Sequence, residues 1–177
     1  MTTAFAAVSL CATVVCLAAL VRLHLLPTGY RLVSNAVSDY GVGPFRQWYR
    51  AQTSALAVAA AALAVAIALA AHDHRRVVVL LGVFAAARLT IPSFPTDLDR
   101  TRPTRTGRIH LWLAAIAFAT IAWAAGAYDR YPVVDWLVIG TSIATFLALR
   151  RPYFGAVERL FYAAMLAWFV VVSVNLI

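Results

Sequence analysis

Side chains of types that take part in acid–base or metal chemistry lie in two polar segments of the chain, and four of them are candidates for a shared site. Ser38 and Asp39 are neighbours in the first segment, residues 27–46, here called joint one. Asp97 and His110 belong to the second segment, residues 91–110, here called joint three. Carboxylates and imidazoles exchange protons with substrates and also bind metal ions. This pattern raises two hypotheses, a metal site and a hydrolytic site in which Ser38 takes part.

A zinc centre needs more ligands than the two joints supply. Catalytic zinc normally has three protein ligands and one open position. Only His24 and His110 lie beside the joints, whereas His72 and His74 belong to a separate polar segment. A haem between His24 and His110 is a further hypothesis, but lone histidines are more often structural than ligating. We therefore expect no metal and no cofactor.

The same residues also have a purely structural interpretation. Asp39 can stabilise the turn that Gly41 requires, because short polar side chains bond the backbone of turns. Asp97 can pair with a nearby arginine and fix joint three against the rest of the protein. His110 can donate to a loop carbonyl. Neither the structural nor the functional interpretation is excluded by the sequence.

Arg88 stands apart because it lies inside an apolar run. On insertion scales a charge at such a position costs at least about 2.5–3.5 kcal/mol, so it normally faces a partner or a cavity. Asp39, Asp97 and Glu158 are the expected partners. Arg88 then either lines a pocket for an anionic group or forms a buried ion pair that holds helices together. The candidate binding residues are Ser38, Asp39, Arg88, Asp97, Arg108, His110 and Glu158, and no catalytic residue is assigned.

The composition decides the class of protein. Of 177 residues, 63% are hydrophobic and 12% are charged, and the mean hydropathy is +0.82. Soluble domains are about half apolar and a quarter charged. This balance excludes a soluble enzyme, a disordered chain and a nucleic-acid-binding module. The net charge of +8 comes from arginines in short segments between apolar runs, as in membrane proteins whose loops contact anionic headgroups.

Apolar runs are predicted to form transmembrane helices. A crossing helix needs about 20 residues, and a chain in lipid has to satisfy its own backbone hydrogen bonds. Abundant alanine favours close helix packing. We predict an all-α, polytopic integral membrane protein, a single domain over residues 1–177 that forms a compact bundle of six transmembrane helices. The helices are predicted at about residues 3–26, 44–71, 77–92, 107–127, 132–149 and 153–176.

With six spans, joint one and joint three lie on the same face of the membrane. If the ends of the flanking apolar runs are included, the segments between runs one and two, three and four, and five and six (the first, third and fifth joints) carry eleven arginines, including Arg100, and the two remaining segments between runs carry three. Positively charged loops are normally cytoplasmic. We predict that these three joints face the cytoplasm and that the protein lies in a bacterial inner membrane. The orientation inverts if the arginines serve to bind a ligand instead.

Short motifs in both joints resemble one protein family. The stretch Ser38-Asp39-Tyr40-Gly41, followed by Gly-Pro at 43–44, resembles the Ser-Asp/Glu-x-Gly and Gly-Pro stretch of the domain of unknown function 998 family. The sequence Phe-Pro-Thr-Asp at 94–97, followed by a histidine, resembles a second stretch of that family. The resemblance implies a multi-pass helical membrane protein of bacteria or archaea, without an assigned activity. It points to Ser38, Asp39, Gly41, Phe94, Pro95, Asp97 and His110.

Three functions are consistent with the sequence. The first is a protein whose Arg-, Asp- and His-lined site binds an anionic amphipathic ligand or lipid headgroup. The second is a structural or accessory subunit of a larger membrane complex. The third is an intramembrane hydrolase, so enzyme activity is left open. The expected partners are membrane lipids or other membrane protein subunits, and no nucleic acid.

Overall fold

Helices form nearly all of the regular structure of the chain, of which the computed structural model describes residues 1–70, 72–99, 101–102 and 104–177. These residues contain six α-helices and no strand, which confirms the all-helical prediction. The helices are α1 (Thr2–Leu25), α2 (Arg46–Ala70), α3 (Arg75–Thr90), α4 (Arg105–Tyr128), α5 (Pro132–Leu147) and α6 (Phe154–Val174). Short 3-10 turns cover Val37–Gly41, His72–His74 and Ile91–Ser93. The predicted helix end at residue 71 and the charge of Arg100 lie outside the described residues.

Three helix starts were predicted from prolines, and the structure confirms one of them. Pro132 is at the start of α5, as predicted, because the first position of a helix does not need its N–H group. Pro44 and Pro152 instead lie in the turns before α2 and α6. Gly43 has a φ of +117°, a conformation open mainly to glycine. The chain therefore changes direction there, and α2 begins only at Arg46.

Five helical segments are long and apolar enough to cross a membrane. They are α1, α2, α3 with its 3-10 extension to Ser93, α4 and α6. Helix α5 has 16 residues and rises about 24 Å, whereas the hydrocarbon core is about 30 Å thick. The chain is thus a multi-pass helical membrane protein, and the prediction of six full spans is correct for five helices of the described chain.

The helices form a closed ring in chain order. Each helix packs against the next along the chain, and α1 packs against α6 to close the ring. Alanines of α2 such as Ala59 and Ala60 are fully buried, and their small size lets α1 and α3 approach closely. Large side chains that include Phe84, Trp168 and Phe169 fill the centre. The ring holds the polar joints against the ends of α4 and α6.

Candidate functional site

A cavity of about 490 Å³ lies among α4, α5, α6 and the two polar joints. Six of the seven candidate residues line it: Ser38, Arg88, Asp97, Arg108, His110 and Glu158. Apolar side chains of α4 and α5, among them Leu111 and Phe146, form much of the remaining wall. The fold therefore gathers residues from four separate parts of the chain. Their role in binding stays a prediction.

Arg88 faces the interior of the bundle and is only 2% exposed. Its Nη2 donates to the Tyr162 hydroxyl over 2.8 Å and to Gln52 Oε1 over 3.2 Å. Its guanidinium also lies 5.5 Å from the centre of the Tyr162 ring, a cation–π distance. Among the described residues none of the candidate partners Asp39, Asp97 and Glu158 hydrogen-bonds the guanidinium, whereas the alternative expectation, that Arg88 lines a cavity, is met. The groups on α2 and α6 that accept hydrogen bonds from the guanidinium are neutral, so they do not neutralise its positive charge beside the cavity.

Glu158 connects α6 to joint one. Its Oε2 accepts a hydrogen bond of 2.6 Å from the backbone N–H of Val37. The carboxylate is buried and lines the cavity. This contact fixes the 3-10 turn Val37–Gly41 against the second turn of α6.

Asp39 stabilises its own turn. Its Oδ2 accepts from Asn35 Nδ2 over 3.1 Å and from the backbone N–H of Ala36 over 3.0 Å. In the second of these contacts a carboxylate three residues into the turn bonds the backbone N–H of the residue that precedes it, which satisfies one of the free N–H groups at a helix start. The carboxylate therefore matches the structural interpretation. Ser38, its neighbour, is the residue of this turn that lines the cavity.

Asp97 closes joint three onto the start of α4. Its two carboxylate oxygens accept from the backbone N–H and the hydroxyl of Thr104, over 2.8 and 2.7 Å. The same hydroxyl accepts from the N–H of Gly107 over 3.0 Å and caps α4. A Cβ at Gly107 would overlap the Asp97 carboxylate. Glycine at this position is what allows the loop to lie so close to the helix.

Asp99 forms a smaller turn farther along the same joint. The hydroxyl and the backbone N–H of Thr101 both donate to Asp99 Oδ1, over 2.6 and 3.0 Å. These bonds hold the pKa of the exposed Asp99 carboxylate below its usual value, because they favour the charged form. Asp99 thus shapes the loop.

His110 is 4% exposed and lies in the first turns of α4. Its Nδ1 is 2.7 Å from the carbonyl oxygen of Phe94. A carbonyl oxygen can only accept, so Nδ1 carries the proton. The other ring nitrogen, Nε2, is buried and has no hydrogen-bond partner in the described residues. This polar atom belongs to a residue that lines the cavity.

Arginines complete the lining at the polar joints. Arg108 at the start of α4 and Arg150 after α5 both line the cavity and are exposed. Together with Arg88 they supply three positive charges, against the two carboxylates Asp97 and Glu158. Arg150 was not among the predicted site residues, because in sequence it is one of several loop arginines that report orientation.

Arg159 is a structural residue that the sequence does not reveal. Its Nη1 donates to the carbonyl oxygens of Leu32, Asn35 and Gly155 over 2.7–2.8 Å. Its Nε donates to His24 Nε2 over 2.9 Å. One guanidinium therefore ties joint one to both α1 and α6. Its sequence signal, a single basic residue near a helix start, is the same as that of a solvated arginine.

Metal ligands are not clustered in the described chain. No group of three or more His, Cys, Asp and Glu side chains in the described ranges could hold a metal ion. His24 is engaged by Arg159 and His110 by Phe94. What the site offers is three arginines, one unpaired imidazole nitrogen and an apolar wall.

Comparison with known proteins gives a family. The chain matches the family model described as Protein of unknown function (DUF998) over residues 10–175. No curated protein and no solved structure matches it significantly. The match covers nearly the whole chain, including both joints and the cavity lining, and confirms the resemblance seen in the motifs of joints one and three. The protein is therefore a multi-pass helical membrane protein that belongs to the DUF998 family of unknown function.

Proposed function

We propose that the protein binds an anionic amphipathic membrane lipid in the cavity among α4, α5 and α6. The observation that carries the proposal is the pairing of two surfaces in one cavity. Arg88, Arg108 and Arg150 line its polar part, and apolar side chains of α4 and α5 line the remainder. An anionic lipid likewise combines a charged headgroup, which the arginines can bind, with apolar acyl chains, which the apolar wall can contact. The volume of about 490 Å³ lies in the range of small-molecule sites, about 300–1,000 Å³.

The apolar wall supports entry from the bilayer. Leu111, Trp112 and Phe146 line the cavity and are also 51%, 71% and 36% exposed at the protein surface. In a membrane protein, exposed apolar side chains of the helices face acyl chains. A ligand seated between α4 and α5 can thus keep its tails in lipid while its headgroup reaches the arginines.

The proposal also places α5 across the membrane as a sixth span. Ser142 of α5 donates to the carbonyl oxygen of Phe118 in α4 over 3.2 Å, near the middle of both helices. Asp135 at the start of α5 accepts from Trp168 near the end of α6 over 2.7 Å. These contacts hold α5 alongside α4 and α6 and support a crossing of the membrane beside them. A helix somewhat shorter than the bilayer is accommodated by local thinning at modest cost.

With six spans, the cavity arginines lie on the face that carries most of the positive charge. Positively charged loops are normally cytoplasmic, and the cytoplasmic leaflet is rich in anionic lipids. A cytoplasmic location of joints one, three and five in a bacterial inner membrane therefore brings the site and its ligand to the same leaflet.

Native mass spectrometry after purification in mild detergent tests this function. We expect one bound anionic phospholipid per chain, and loss of most of it in the double variant Arg108→Gln/Arg150→Gln. Arg102→Gln is the matched control, because Arg102 belongs to joint three and is exposed but does not line the cavity. Equal retention of zwitterionic lipid would contradict the proposal. Stoichiometric copurifying membrane proteins without bound lipid would favour an accessory subunit instead.

A further inference from the structure

Three buried groups that line the cavity retain hydrogen-bonding capacity within the described residues. Arg88 Nε and His110 Nε2 have no partner. Glu158 accepts the Val37 N–H through Oε2, and a carboxylate has a second oxygen, Oε1, that can accept as well. Buried polar atoms seldom lack a partner, because such an atom has lost its hydrogen bonds to water without a replacement. The two unpartnered atoms, Arg88 Nε and His110 Nε2, belong to residues that line one cavity together with Glu158, which indicates that a ligand supplies the missing partners.

The three groups differ in what they require. Arg88 is a donor with a positive charge and no bonded carboxylate, so it requires an anionic acceptor such as a phosphate oxygen. His110 carries its proton on Nδ1 because that atom faces the Phe94 carbonyl. Its Nε2 is then an acceptor, since a neutral imidazole has one of each. Glu158 Oε1 is an acceptor as well. A ligand that satisfies the site therefore carries both an anionic group and hydroxyl donors.

We infer that the occupant is a hydroxyl-bearing phosphate headgroup, that is, a polyol phosphodiester, with its phosphate at Arg88 and its hydroxyls at His110 and Glu158. This inference rests on the proposed function and narrows it to one class of headgroup. A headgroup with a phosphate but no hydroxyl satisfies Arg88 and leaves both acceptors without a donor. Among glycerophospholipids, phosphatidylglycerol has the required chemistry.

A matched pair of lipids separates the two requirements. Phosphatidylglycerol and phosphatidylethanol with identical acyl chains both carry one negative phosphodiester, and only the first has free hydroxyls. In competition on the purified protein, measured by native mass spectrometry, we expect at least about a tenfold preference for phosphatidylglycerol, the effect of one or two hydrogen bonds to a charged or buried group.

Two near-isosteric variants test the acceptors. Glu158→Gln keeps a carbonyl oxygen for the Val37 N–H and replaces the other oxygen by a donor. His110→Asn keeps an N–H donor for the Phe94 carbonyl and removes the Nε2 acceptor. Each is expected to lower the preference for phosphatidylglycerol over phosphatidylethanol, because each removes an acceptor for a headgroup hydroxyl. Arg102→Gln is the control, and thermal unfolding establishes that each variant is folded.

The outcomes separate this inference from the function on which it rests. Equal binding of the two lipids by the unmodified protein would overturn the inference and leave anionic lipid binding intact. Binding of neither lipid would overturn both. A preference that both variants retain would also overturn the inference. Competition by soluble glycerophosphoglycerol as strong as by phosphatidylglycerol supports the same headgroup chemistry and identifies a free polyol phosphodiester, in place of the lipid, as its source.

Discussion

The guanidinium of Arg88 in α3 donates to the hydroxyl oxygen of Tyr162 in α6 over 2.8 Å. Because the same Nη2 atom also donates to Gln52 in α2, one side chain joins three helices inside the bundle. Gln52 in turn donates to Cys16 Sγ of α1 over 3.4 Å. A buried charge is thus held by neutral acceptors next to the cavity in which we place an anion.

Gln52→Leu is expected to lower the free energy of unfolding by about 1–3 kcal/mol, because it removes an acceptor from a buried guanidinium. The measurement is thermal or denaturant unfolding in detergent. Gln47→Leu is the matched control, since Gln47 is exposed near the start of the same helix and its replacement should change stability little. Equal stability of both variants would show that Gln52 does not stabilise Arg88.

Gly107→Ala is expected to destabilise the protein by about 1–3 kcal/mol, the usual cost of overpacking, because its Cβ would overlap the Asp97 carboxylate. In an Asp97→Ala background, the same change should become neutral or stabilising, since alanine is favoured over glycine in a helix. Gly82→Ala is the control, because a Cβ there meets open space. A loss of stability in both backgrounds would contradict the contact.

Arg159→Met is expected to release joint one from α6, because three backbone carbonyl oxygens and His24 lose their donor. Limited trypsin cleavage after Arg31, followed by mass spectrometry, should become at least about tenfold faster, as the open state of the loop becomes more populated. Arg151→Met is the control, because Arg151 is exposed and, within the described part of the chain, forms hydrogen bonds only through its backbone. Unchanged cleavage would mean that other contacts hold the loop.

If α5 spans the membrane, residues 130 and 151 face opposite compartments. We expect Arg130→Cys to react with a membrane-impermeant thiol reagent in intact cells, and Arg151→Cys to react only after permeabilisation. Both would be made in a chain whose native Cys11 and Cys16 are replaced by alanine. Reaction of both cysteines from the same side would indicate that α5 is a re-entrant helix. The segment after α5 would then lie on the opposite face from joints one and three.

Helix positions followed from the sequence because the requirement for a membrane span is local. A run of apolar residues long enough to cross a bilayer is visible in the chain itself, and the observed helix ends lie close to the predicted ones. The interior position of Arg88 could also be predicted, because a charge in such a run has few alternatives. The length of α5 was overestimated, since the residues 148–149 that follow it are apolar but form a turn.

The partners of the polar residues were decided by the tertiary structure. Gln52 and Tyr162 are 36 and 74 residues from Arg88, and no local pattern distinguishes them from other polar residues in spans. Glu158 likewise bonds the backbone N–H of Val37, which lies 121 residues earlier in the sequence. Because successive helices alternate in direction, the sequence alone predicts that joints one and three, with their polar residues, lie at the same end of the bundle. Only the packing of α2, α3 and α6 determined which charged groups are bonded within the protein and which remain available to a ligand. Hydrogen bonds between helices depend on how each helix is rotated and how deep it lies, and the sequence of one apolar run does not encode either property.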